Sequence, residues 1–319
     1  MSTPISYRAS LKNLDVEEVI DLLVHRPLGY LVARLAFPTP ISPDAITILS
    51  MLVGIAAGVA YAWGPATGNS HHVLGGALLI TSAILDCSDG QLARMRKSSS
   101  RYGRMLDGMV DAVVQVAAVP VALFACVWRL GLTTPEALTW GVLGFVAILA
   151  GIRHTTLYDQ FKNVYVRNTD PTPRDCDDLE DIEAEWARAR AERPLSWADD
   201  FRFWMYKLHL TLVRQTMRWI DPHIPSRFNE MPTYSADRAA RYRSLQGGLM
   251  RAWSFFGIGT HIFFFGLCTM FDRLEWYIVL RLFVFNAALF VLVPLQRRAS
   301  REFFGGESSD NDDSAAVAA

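Results

Sequence analysis

The sequence predicts an all-α integral membrane protein: six transmembrane helices, preceded by an amphipathic surface helix, with a helical cytoplasmic insert between spans four and five. Three observations predict it. Of the 319 residues, 51% are hydrophobic and 12% aromatic, more apolar than a soluble chain of this length usually is. The apolar residues are gathered into long blocks rather than scattered at helix or strand period, as in bilayer-crossing segments. Basic residues crowd the loops on one side of those blocks, which fixes an orientation. The net charge of −1 points to no polyanionic partner, and nucleic acid is not expected.

The elements follow in order. Residues 1–43 are an N-terminal segment that lacks a charged start followed by an apolar run. No cleavable signal peptide is expected, so the first span serves as the insertion signal. Within the segment, Val16 to Phe37 has apolar residues at helical spacing with charges between them. It reads as an amphipathic helix lying on the membrane with Arg26 and Arg34 toward headgroups. Pro38, Pro40 and Pro43 then break the chain. Residues 44–152 hold four spans, at about Ala45–Trp63, His72–Leu85, Met105–Trp128 and Ala137–Ile152. Residues 153–246 form the insert: an acidic-then-basic helical stretch ended by Pro194, then an amphipathic helix with a Trp/Phe/Leu face. It reads as a small subdomain packed on the membrane surface. Residues 247–298 hold spans five and six, at about Ala252–Phe271 and Trp276–Leu295. Residues 299–319 read as a disordered tail. Arg94, Arg96, Lys97, Arg101 and Arg104 lie between spans two and three, and Arg297, Arg298 and Arg301 follow span six. Both termini and this first basic loop are therefore expected on the cytoplasmic side. Cys87, Cys126, Cys176 and Cys268 form no CxxC pair and are read as thiols without a disulfide framework.

The chemistry gathers between spans two and three. Asp86 and Asp89 are three apart and share one helix face; Asp107 and Asp111 are four apart and share another. A short turn joins the two helices, so four carboxylates converge at the inner membrane boundary. Ionised acids there would repel one another and lose hydration unless compensated. Oxygen-only ligation favours hard cations, and two divalent ions offset four negative charges. A metal pair is a known device for displacement at phosphorus. Gly90, Ala93 and Gly103 are small residues that would admit a phosphorylated ligand to the helix backbones, and Arg94 supplies counter-charge.

The stretch from Asp86 to Asp111 reads D-x2-D-G-x2-A-R-x8-G-x3-D-x3-D, and in this it resembles the signature of the CDP-alcohol phosphotransferase family at every position. The resemblance extends to a Pro-x-x-x-Thr start of the first span, Pro43 to Thr47; the insert has no counterpart in it. The resemblance implies a CDP-alcohol phosphatidyltransferase with two divalent ions, Mg2+ or Mn2+. Asp86, Asp89, Asp107 and Asp111 would be the metal ligands, with Asp111 also the general base. An alcohol would attack the β-phosphorus of a CDP-linked donor, releasing CMP and forming a phospholipid. Cytidine would lie near Asp44, Thr47, Gly90, Ala93, Arg94 and Gly103; the family often has Asn in place of Asp44. A homodimer in a bacterial inner membrane, with the active site cytoplasmic, is also implied.

The wording around the signature resembles branches that use CDP-diacylglycerol with inositol phosphate or another polyol phosphate. An acceptor phosphate would need cations, for which Arg104, Arg153 and His154, beside Tyr158, are the candidates. The alternative is a CDP-choline or CDP-ethanolamine:diacylglycerol phosphotransferase. A transporter would spread polar residues toward the midplane of several spans, whereas here the acids cluster at one boundary. His261 reads as a hydrogen-bonded helix contact. Arg281, in span six, reads as a side chain snorkelling to the outer interface.

Overall fold

The computed structural model describes residues 6–11, 13–67, 70–98, 101–129, 133–171, 179–192, 196–225, 227, 231–232 and 234–317; residues 9, 64–67, 70, 101–109, 112, 129, 198, 202 and 306–317 are described as backbone only. Among the described residues the regular structure is all helical. Among the described residues, four helices are long and apolar enough to cross a membrane: Pro43–Trp63, His71–Met95, Thr134–Thr169 and Leu274–Gly305. They become five if Ala236–Phe256 and Ile258–Met270 count as one broken span. The expected third span falls on α5, whose described apolar stretch is Val113–Trp128.

The chain divides into two compact units, residues 1–155 with 254–286, and residues 156–253 with 287–319. The first unit contains α1 (Tyr7–Ser10), a π-helical turn (Asp21–His25), α2 (Arg26–Ala36), α3 (Pro43–Thr67), α4 (Ser70–Met95), α5 (Arg101–Arg129) and the first part of α6 (Thr134–Thr169). The second contains the rest of α6, then α7 (Leu179–Glu192), α8 (Trp197–Ile220) and α9 (Ala236–Trp253). Next come α10 (Ile258–Met270), α11 (Leu274–Val279) and a second π-helical turn (Leu280–Phe285), all of the first unit, and α12 (Asn286–Val317), almost all of the second.

In the first unit, Ser42 caps α3 by accepting from the Ala45 N–H at 3.1 Å, and Pro43 takes the first helical position, where no amide donor is needed. The core joins Ala57, Tyr61, Leu79, Val114, Ala118, Phe265 and Tyr277. Small residues let the backbones approach, the usual device where lipid gives no hydrophobic drive between helices. A β-carbon on Gly58 would lie 2.3 Å from the Ala117 carbonyl oxygen, and one on Gly76 2.4 Å from that of Gly266. Tyr61 and Thr269 hydroxyls meet at 2.9 Å.

Two arginines depart from the expected placement. Arg26 is buried and pairs with Glu17 at 3.1 Å instead of reaching headgroups. The face of α2 turned inward is its small one, with Gly29, Ala33 and Ala36 buried, while Leu28, Leu31 and Leu35 are exposed. Arg281 does not snorkel: it is 8% exposed and lies over the Tyr277 ring at 5.3 Å. Gly151 makes the room, since a β-carbon there would fall 1.4 Å from the guanidinium. Both arginines are in or next to a π-helical turn. The extra residue of such a turn rotates the following face, so a reading at 3.6 residues per turn misplaces it.

In the second unit, Ser196 and Asp199 form a capping box that starts α8. Lys207 pairs with Glu183 at 2.6 Å, and Arg214 and Arg227 converge on Glu180 at 2.7 and 3.0 Å. Trp186 stacks on Phe203 at 4.5 Å. The opposite face of α8 leaves Trp197, Phe201, Trp204, Leu208, Leu212 and Trp219 exposed. Arg297, expected to be a charge at the membrane edge, donates to the Trp219 and Ile220 carbonyls at the end of α8. The backbone of α12 is helical to Val317, across the stretch that composition reads as a disordered tail; extending a helix already formed costs far less per residue than starting one.

Candidate active site

The signature falls on two helices. Asp86 and Asp89 lie on α4, which ends in a Schellman turn: Ser98 N–H donates to the Ala93 carbonyl at 2.9 Å, with Lys97 left-handed at φ 54°. Asp111 lies near the start of α5. Asp86 and Asp111 line one cavity of about 70 Å3 together with Asp21, His25, Ser50, Ser82 and Cys87. Asp89 is buried and its Oδ2 accepts the Thr47 hydroxyl at 2.5 Å. Ser82 Oγ donates to the Ser50 carbonyl at 2.7 Å, which fixes α4 against α3 at this depth. Gly103 is described as backbone only, and the side chains of Arg104 and Asp107 lie outside the described ones.

Around the acids, Asp44 sits half-buried in the first turn of α3. Gly90 and Ala93 are partly open. Arg94 folds back over Gly90, 3.3 Å from where a β-carbon would stand, and its Nε donates to the Ser10 carbonyl. Gln91 donates to the Arg26 carbonyl at 3.1 Å. Arg96 donates to the carbonyls of Ala36, Phe37, Thr39 and Ile41, closing the end of α2. The motif helix thus holds the N-terminal segment through three side chains.

Of the remaining candidates, Arg153 is exposed. His154 is fully buried, with Nε2 3.2 Å from Asn286 Oδ1 and its ring stacked 5.5 Å from His261. Tyr158 belongs to the second unit, with Lys162 over its ring at 5.1 Å. His261 meets Tyr277 OH at 3.1 Å, a helix contact as read from the sequence.

Three groups near the site are not among the candidates that the sequence marks. Glu18 accepts from the Gly259 and Thr260 amides at 3.3 and 2.8 Å and from the Thr260 hydroxyl at 3.1 Å, at the N-terminus of α10. Burial and the neighbouring Asp21 push its carboxyl up to about 8. Asp21 and His25 join through Oδ1 and Nδ1 at 2.8 Å. Their spacing of four was visible, but nothing in the sequence placed them under α4. Finally, a mostly apolar cavity of about 240 Å3 carries Gln115, Thr155, His261 and Arg281 on its wall. It shares Leu79, Val114, Ile258 and Ile262 with the acid-lined cavity.

The donor set fits the implied ions. Aspartates on facing helices, with hydroxyls and no imidazole among the signature residues, suit hard divalent cations.

Residues 40–167 match the family described as CDP-alcohol phosphatidyltransferase. Two curated relatives carry the description bifunctional IPC transferase and DIPP synthase. That of Aquifex aeolicus (strain VF5) is 32% identical over 76 residues, 24% of this chain and 16% of the relative. That of Rubrobacter xylanophilus is 40% identical over 74 residues, 23% of this chain and 15% of the relative. The chain thus matches less than a fifth of either relative's length.

Proposed function

We propose, from the match of residues 40–167 to the CDP-alcohol phosphatidyltransferase family, that the chain transfers a phosphatidyl group from CDP-diacylglycerol to a polyol phosphate and releases CMP. The observation that carries this reading is the shared cavity of Asp86 and Asp111, with Asp89 buried and held by Thr47. The two halves of the signature, on separate helices, meet there.

Asp86, Asp89, Asp107 and Asp111 would hold two divalent cations, Mg2+ or Mn2+. When bound, the ions neutralise charge on the diphosphate and on the departing CMP. Asp111 takes the proton from the acceptor hydroxyl, which is a poor nucleophile until deprotonated. Thr47 holds Asp89 in one rotamer by its hydrogen bond. The partly open Gly90–Ala93 edge of α4 receives the nucleotide, with Asp44 at its side. Ser50 and Ser82 add polar lining beside Asp86.

Arg281 joins Arg104, Arg153 and His154 in this reading as a candidate cation for the acceptor phosphate. It is buried, lies on the wall of the neighbouring cavity and makes no ion pair among the described residues. A guanidinium matches phosphate geometry. The chain is read as a homodimer with the site on the cytoplasmic side.

The test is CMP release by the purified chain with Mg2+ and CDP-diacylglycerol, across inositol 1-phosphate, glycerol 3-phosphate, inositol and serine. Release with a phosphorylated acceptor is expected. Arg281→Met should raise KM for that acceptor by roughly tenfold or more, the scale of a charged hydrogen bond, with donor KM little changed. Release only from CDP-choline or CDP-ethanolamine with diacylglycerol would reverse the donor assignment.

A further inference from the structure

The acid-lined cavity has a second wall, made of different chemistry. The π-helical turn Asp21–His25 begins and ends with the two residues that face Cys87 of α4. One ligand atom from each of Asp21, His25 and Cys87 lies within 4.8 Å of the other two. His25 is 1% exposed, and its Nε2 makes no hydrogen bond among the described residues. Cys87 is a free thiol. All three line the cavity that Asp86 and Asp111 share.

The set is held from several sides. Asp21 lies against α10, where a β-carbon on Gly259 would stand 2.2 Å from its Oδ1. Arg26, the nearby cation, pairs with Glu17 at 3.1 Å. Gln91, four residues after Cys87 on α4, bonds the Arg26 carbonyl. Ligands pre-placed in this way lose little freedom on binding an ion.

Sulfur, imidazole nitrogen and carboxylate oxygen together do not suit Mg2+, which prefers six oxygens in octahedral array. They suit a borderline-soft ion that accepts four ligands, and three protein ligands leave one position for water or a phosphate oxygen. We propose that Asp21, His25 and Cys87 bind one thiophilic divalent cation of the Zn2+ class, through ligands other than the aspartates of the signature, on the opposite wall of the cavity they share. Binding forms the metal–sulfur bond and releases the thiol proton to solvent. Where His25 Nδ1 is the ligand, its proton passes to Nε2 as the tautomer changes, and the ion takes the place of the Asp21–His25 hydrogen bond. The ion then pins the N-terminal segment to the motif helix.

The site is tested on the full-length chain in detergent, titrated with Co2+ in excess Mg2+. A thiolate-to-cobalt charge-transfer absorption should appear and saturate at one ion per chain. It should persist in Asp111→Asn, disappear in Cys87→Ser, and need at least about tenfold more Co2+ in His25→Ala, the loss typical of a ligand-shell change. Should the variants fail to fold, X-ray absorption of the zinc-loaded wild-type chain reads the same site, with one sulfur expected at about 2.3 Å. Absence of sulfur from the zinc shell, or a cobalt–thiolate band that survives in Cys87→Ser, overturns the proposal. Neither readout uses transfer activity, so failure here and failure of the proposed reaction are distinguishable.

Discussion

Asp111 stands one helix away from Asp86 and shares its cavity, and its proposed role as base can be isolated at the level of one atom. Asp111→Asn should lower CMP release by at least about 100-fold, the usual scale of a general base, while binding of a CDP donor measured by calorimetry stays within a few-fold. Normal turnover would remove Asp111 from the role. Glu18 gives a second residue-scale outcome. Its folded carboxyl is raised from 4.5 to about 8, so between those values the folded chain keeps a proton that the unfolded chain has lost. Stability should therefore fall as pH rises through that window. Glu18→Gln keeps an acceptor for the α10 amides but has no proton to lose, so its thermal midpoint should vary less across the window. Parallel curves for the two proteins would count against this account.

At the scale of elements, α8 combines a capped start, ion pairs to α7 on one face and an exposed aromatic stripe on the other. Such a helix in a membrane-tethered chain is expected to lie in the headgroup boundary. In vesicles containing brominated lipid, Trp204→Phe combined with Trp219→Phe should remove part of the quenchable tryptophan fluorescence. Quenching equal to that of the wild-type chain would place the stripe out of lipid. Element boundaries also show where periodicity stops informing. The π-helical turns at Asp21–His25 and Leu280–Phe285 break the 3.6-residue repeat, and each holds or adjoins an arginine whose face periodicity misassigns.

For the whole molecule, the proposed reaction and its proposed ions stand or fall together. Excess chelator should reduce CMP release to background, and Mg2+ or Mn2+ added back should restore it; activity persisting in chelator would sink the two-ion reading. The sequence by itself determined the helical membrane character and the signature from Asp86 to Asp111, because a long apolar block and a fixed carboxylate spacing are properties of the chain in one dimension. It also marked His261 correctly as a helix contact, since an imidazole amid apolar residues has to find a hydrogen bond nearby. Only the tertiary structure decided that Arg26 and Arg281 point inward, that Arg96 closes α2, that Glu18 caps α10, and that Asp21 and His25 lie beside Cys87. Apart from the Arg26–Glu17 pair, these are contacts between residues far apart in the chain. Such contacts depend on which small residue, Gly29, Gly151 or Gly259, opens space on the facing helix, and no local pattern records that.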